Sequence, residues 1–258
     1  MKNIPSIPTR ALILKEWKYN KKKILPMIIG LIVFGFLTVG LLEILPEFAS
    51  YLEGLLPEFT PAMSLQSFMS SVNSLVSIIA VILCADAIAG EREHNTLVLI
   101  QTKPIKPHSI ILTKLFARYL IVLIATIFGA ISVYFFTWIM IGKPDIISLF
   151  LSLLIYAITL FVYTSIGMLI STTVKSQISA GAISAGIILL ITLVSSFLNF
   201  EKFQPYNIFE LTSNVTLIQF SATTIGISCL ILFLIGIMIT ITSILLFYGE
   251  KEPTRKRI

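Results

Sequence analysis

The sequence predicts an all-α membrane protein: six transmembrane helices, an N-terminal interfacial helix, and a short helix on the cytoplasmic side between spans two and three. Three observations point there. The 258 residues are 56% hydrophobic and 12% charged, whereas soluble domains carry about 25% charged residues, and the mean hydropathy is +0.95. Six apolar segments reach the roughly 20 residues that a helix needs to cross the hydrocarbon core. No alternating pattern of barrel strands occurs, and in lipid only helices and closed barrels satisfy their own backbone polar groups. The spans leave no room for a separate soluble domain, so residues 1–258 form one membrane domain.

The elements follow in order. In residues 1–23, Thr9 is placed to cap a helix on which Ile13, Leu14 and Trp17 share a face. An interfacial helix fits, with Arg10 and the lysines on anionic lipid and Trp17 at headgroup depth; a plain basic leader that sets topology is the alternative. Span one covers 24–45. The loop 46–71 follows, where Leu45-Pro46-Glu47-Phe48 recurs as Leu56-Pro57-Glu58-Phe59. Proline and glutamate suit first helical turns, so two short surface helices are expected. Span two is 72–90, the polar connection 91–118, span three 119–141 and span four 146–171. Span five, 178–200, carries Ser179, Ala180, Gly181, Ala182, Ser184, Ala185 and Gly186, small residues that let helices approach closely. That surface packs within the chain or against a second subunit, and packing within the chain is the expectation. An apolar loop, 201–223, leads to span six, 224–248. Cys84 and Cys229 fall inside spans and read as two small buried side chains.

Charge sets the orientation. All but Lys143 and Lys202 of the 19 Lys and Arg residues fall before span one, between spans two and three, at Lys175, or after span six, and the end of span one with the first long loop has four glutamates (Glu43, Glu47, Glu53 and Glu58) and no base. The positive-inside rule then puts both termini in the cytoplasm and the loops 46–71 and 201–223 outside. The bias also accounts for the net charge of +6 without a nucleic-acid partner. The first apolar run has a full span's length and no small-residue cleavage site, so no signal peptide is expected.

Chemistry inside the bilayer is sparse. Apart from Glu43 at the outer end of span one, Asp86 is the single charged residue in the predicted spans, near the cytoplasmic end of span two; it reads as one half of a structural ion pair or as a gate. No zinc-protease or nucleophile-elbow motif occurs, and no phosphate-binding loop. No catalytic residue or metal site is expected. Any work done on a substrate needs energy from another chain. Attention therefore falls on the polar block Gly90-Glu91-Arg92-Glu93-His94-Asn95-Thr96-Leu97 and on Lys103, Pro104 and Lys106. Glu91 and Glu93 suit the first turn of a short helix, with Asn95 or Thr96 as a cap and Pro104 and Pro107 as its end; Ser109 then opens the helix of span three. Such a helix between two long spans is a mechanical handle.

These residues resemble the permeases of the ABC-2 type. Asp86-x3-Gly90-Glu91-Arg92-Glu93-x2-Thr96-Leu97, then Pro104-Ile105-Lys106 and Lys114, is similar in order and spacing to that family's Gly-Glu-Arg-Glu-x-Gly-Thr-Leu, Pro-Val-Ser-Arg and Gly-Lys pattern. Asn95 stands where glycine is usual, but Asn tolerates the left-handed backbone. Lys106-Pro107 and Thr113 are further departures. The resemblance implies a transmembrane subunit of an ATP-binding cassette transporter, most often an exporter. It would pair with a second permease, identical or related, and with two copies of a soluble ATP-binding subunit. ATP and Mg2+ would sit on that partner, and this chain would bind no cofactor. The segment 91–102 would act as the coupling helix, with Glu91, Arg92, Glu93, Thr96, Leu97, Lys103, Pro104 and Lys106 as contacts. A non-transporting sensor or envelope assembly subunit of similar fold is the alternative from another class. A secondary transporter would show broken helices and midplane ion ligands, which are missing from the sequence.

Overall fold

A computed structural model describes residues 9–48, 60–96, 106–197 and 222–255. The predicted repeat at 56–59, most of the loop 201–223, and Leu97, Lys103 and Pro104 lie outside the described residues. Every described element is helical: α1 (Thr9–Phe48), α2 (Pro61–Ser71), a π-helical turn (Val72–Val76), α3 (Ser77–Glu93), α4 (Pro107–Met140), α5 (Ile146–Thr173), α6 (Gln177–Phe197) and α7 (Ala222–Arg255). Among the described residues, six helical stretches are long and apolar enough to cross a membrane, with α2, the π turn and α3 acting as one of them (Pro61–Glu93).

Local chemistry fixes the ends. Pro61 and Pro107 each occupy a first turn, after Thr60 and Lys106 in extended backbone; proline there loses no helical hydrogen bond. Asp145 caps α5, accepting from the Ile147 and Ser148 amides at 3.2 and 3.0 Å. Asn95, just past α3, sits at φ 56°. The asparagine expected to replace a glycine in left-handed backbone therefore does so.

Packing places α3 and α5 at the centre. α1 lies along α4, α7 along α5, and α6 along α3. Lipid is as apolar as the side chains, so burial between spans depends on close fit and polar ties more than on water exclusion. The fit is close where α5 crosses α3: a Cβ on Gly167 would lie 2.6 Å from the Val81 carbonyl oxygen and 2.8 Å from Cys84 Cβ. At the π turn, buried Asn73 accepts from the Tyr163 hydroxyl at 3.0 Å. Toward the lipid, α1, α6 and α7 present rows of exposed leucine, isoleucine and phenylalanine.

Several expected boundaries move. The segment before span one is not a separate helix: α1 runs unbroken from Thr9 to Phe48, so Leu45-Pro46-Glu47-Phe48 ends that helix rather than forming a surface one. Leu14, expected on the apolar face, is exposed, Trp17 is half-buried, and Glu16 and Asn20 are buried instead. Part of the predicted loop 46–71 is α2, because Pro61 can start a helix there. In the described part of the connection 91–118, Glu91–Glu93 end α3, and Pro107, expected to end a helix, begins α4 two residues ahead of Ser109. On α6 the small-residue surface is only partly used. Ala180, Ser184 and Ile188 are buried, while Ser179 and Ala182 are exposed and a Cβ on Gly186 would meet nothing. Cys84 is buried and Cys229 half-buried, and both are free thiols.

Candidate functional site

The site grows from charge spacing on three helices. Glu16 lies on the first turns of α1 and Lys23 two turns further along. Asp86 and Glu91 lie on the last turns of α3. Lys114 and Arg118, four residues apart on α4, project from one face toward both. These six groups meet at the end of the bundle that holds the 94–106 connection. Lys114 Nζ reaches Glu91 at 2.7 Å and Glu16 at 3.5 Å, and donates to the Ala87 carbonyl at 3.0 Å. Arg118 faces Glu16 at 3.6 Å and Asp86 at 4.0 Å, and its Nε donates to the Leu83 carbonyl at 2.8 Å. Lys23 completes the set at 3.5 Å from Asp86.

Three acids thus balance three bases across α1, α3 and α4. Glu16, Lys114 and Arg118 are 5%, 3% and 3% exposed. Charges this buried persist only when paired and hydrogen-bonded, because taking an ion out of water costs several kcal/mol. Neutrality of the set, with backbone carbonyls taking the remaining donors, meets that condition. Asp86 thus lies within 4.0 Å of both Lys23 and Arg118, and a Cβ on nearby Gly90 would lie 2.5 Å from Asp86 Oδ1.

The rest of the acidic-basic run also turns inward. Glu91, Arg92 and Glu93 complete α3 instead of opening the next helix, which corrects the expected first turn of a short helix. The Arg92 guanidinium donates to the Val174 carbonyl and, at 3.0 Å, to the Thr172 carbonyl at the end of α5. Glu93 accepts from the amide of Gln177, the first residue of α6, at 2.7 Å. Ser171 on α5 donates to the Ala85 carbonyl and accepts from the Ile88 and Ala89 amides, locking α5 to α3 just below. Thr96 and Lys106 are exposed at the two edges of the connection, and the Thr96 hydroxyl bonds back to the Glu91 carbonyl at 3.2 Å. Arg10 lies in the first turn of α1, and its side chain falls outside the described residues.

The sequence reading named Lys114 only within the family pattern and singled out neither Glu16 nor Arg118 as a site residue, placing the first on an interfacial helix and Lys114 and Arg118 in the polar connection ahead of span three. Their spacing was the available signal: Lys114 and Arg118 share a helix face, as do Glu16 and Asn20, whose amide donates to the Glu16 carbonyl at 2.9 Å. Among the described residues no group of three His, Cys, Asp or Glu side chains is placed to hold a metal ion.

Six apolar crossings closed at one end by a neutral, buried ion cluster define a polytopic membrane protein with one mechanically braced end. The comparison with known families gives the class a name: residues 10–217 match the model of the ABC-2 family transporter proteins, and the chain belongs to that family of transport permeases. It is also 28% identical over 127 residues to the inner membrane transport permease YhhJ of Escherichia coli (strain K12) and to that of Shigella flexneri. That match spans 49% of this chain and about a third (33%) of the length of each of those relatives.

Proposed function

We propose that this chain is the transmembrane subunit of an ATP-binding cassette exporter. It is driven by ATP hydrolysis on two copies of a separate soluble subunit, which carry the ATP and Mg2+, and it pairs with a second permease, a copy or a relative. The braced end faces the cytoplasm, in the plasma membrane, with both termini on that side; the basic residues at Lys15, Lys18, Lys21, Lys22 and Lys106 support that orientation. The connection 94–106 is the docking segment for the ATP-binding subunit. Leu97, Lys103, Pro104, Lys106 and exposed Thr96 are its contact residues.

One observation carries the reading. The family match extends over the helices α1, α3 and α4 that the buried ion cluster ties together around this connection. A push on the connection meets a stiff joint, so it moves helices instead of being absorbed locally. The apolar composition of the spans favours a lipid-like, peptide or amphipathic cargo over a small ion.

Affinity purification of the tagged chain from its own membranes, with mass spectrometry of what remains bound, tests the proposal. A stoichiometric soluble ATPase is the expected result, with hydrolysis that loses its dependence on the permease when residues 97–105 are replaced by a Gly-Ser linker. A folded chain that retains no ATPase in mild detergent would overturn it in favour of a non-transporting subunit.

A further inference from the structure

Resting on that reading, we infer that Arg92 and Glu93 are positioning residues: they form a clasp that passes movement of the α3–α4 connection to the α5–α6 pair. The last carbonyls of a helix and its first amides have no partners within the helix, and they concentrate partial negative and positive charge respectively. Arg92 supplies a cation to the end of α5, at the Thr172 and Val174 carbonyls. Glu93, the next residue, supplies an anion to the start of α6, at the Gln177 amide. Two adjacent side chains on α3 thus hold both sides of the turn 174–176, each matched in sign to the helix end it meets.

The clasp matters because of what it grips. α6 is fully buried against the bundle only along one narrow stripe, at Ala180, Ser184 and Ile188, and its other described residues are half-buried or exposed. Charge-assisted bonds at its first residue therefore set where this end of α6 sits. α5 in turn holds α7, through the Ser165 and Thr240 hydroxyls at 3.0 Å. On the other flank of the same α3 turn, Glu91 reaches α4 through Lys114, and Lys114 reaches Glu16 on α1. The Glu-Arg-Glu run is a distributor: Glu91 serves α1 and α4, Arg92 serves α5, and Glu93 serves α6. It works inward, and the docking contacts lie beyond it.

Hydrogen-exchange mass spectrometry tests this on the membrane-reconstituted complex with its ATPase, with and without ATP plus orthovanadate. In the wild type, nucleotide is expected to change exchange both at 94–106 and at 172–180. In the Arg92→Ala/Glu93→Ala variant the first change should persist and the second vanish, and basal exchange at Gln177 should rise about tenfold or more on loss of a charge-assisted bond. Arg92→Lys/Glu93→Asp, which keeps a cation and an anion in place, should restore the response at 172–180. A nucleotide response at 172–180 that survives the alanine pair, or that the conservative pair fails to restore, overturns the clasp. No nucleotide response anywhere in the wild type overturns the transporter reading itself, and the clasp's transmission with it. If the alanine pair does not fold, Glu93→Ala alone carries the same readout at Gln177 and across 172–180.

Discussion

Replacing Lys114 with methionine removes the hub of the buried ion cluster while keeping much of its volume. At 2.7 Å from Glu91, the attraction is about 6 kcal/mol at an effective dielectric constant of about 20, before desolvation is subtracted. Burial of Lys114, at 3% exposure, offsets much of that gain. What the variant leaves behind then sets the loss. Glu16 keeps Arg118 at 3.6 Å. Glu91 loses its cation, and its Oε2 is already a buried atom with no hydrogen-bond partner. Its side chain, 20% exposed, can partly rehydrate. Breaking a buried pair costs about 3–5 kcal/mol, and these two remedies put Lys114→Met near the lower end, at about 3 kcal/mol. Adding Glu91→Gln removes the stranded charge and should return about 1–2 kcal/mol. Unfolding of the reconstituted chain in mixed micelles of increasing SDS content measures all three variants in one double-mutant cycle. If Lys114→Met and Glu91→Gln add to within about 0.5 kcal/mol, the two groups do not share a buried joint and the argument for a braced end fails.

Four further outcomes follow from particular positions. Gly167→Ala drives a Cβ into the Val81 carbonyl and Cys84 and should lose about 1–3 kcal/mol in the same SDS titration. Gly226→Ala, where a Cβ meets nothing, should be neutral or gain up to about 1 kcal/mol. Asn95→Val forces a branched side chain into φ 56° and should lose about 1–2 kcal/mol, whereas Asn95→Gly should lose little. Asp145 is held below the ordinary carboxylate value by the Ser148 hydroxyl first, then by the Ser148 and Ile147 amides. Its stabilising effect is therefore complete above the unfolded-state carboxylate value and fades as pH falls through the lowered one. Unfolding midpoints from neutral to acid pH should show this loss in the wild type, and Asp145→Asn should abolish that share of the pH dependence.

The legible and illegible parts of this protein divide by physical origin. The spans were readable because lipid imposes a length and a composition on each helix separately. The departures at their ends came from tertiary partners. Lys114 and Arg118 fall outside every predicted span, yet they are buried in the bundle on α4 because Glu16, Glu91 and Asp86 neutralise them there. Glu91, Arg92 and Glu93 look like a free polar block, yet they end α3 because α4, α5 and α6 offer them an ammonium, two carbonyls and an amide. The left-handed turn at Asn95 was readable, since it depends on one residue's own sterics.

By itself, then, the sequence determined the number and nature of the crossings, the asymmetry of charge between the two ends, and the resemblance that led to the ABC-2 family. Each of these depends on a segment and its solvent. The tertiary structure alone decided which charges are buried and what they hold. An ion moves inside only when an opposite charge from a distant part of the chain arrives at the same point, as Glu16 does at Lys114 across α1 and α4.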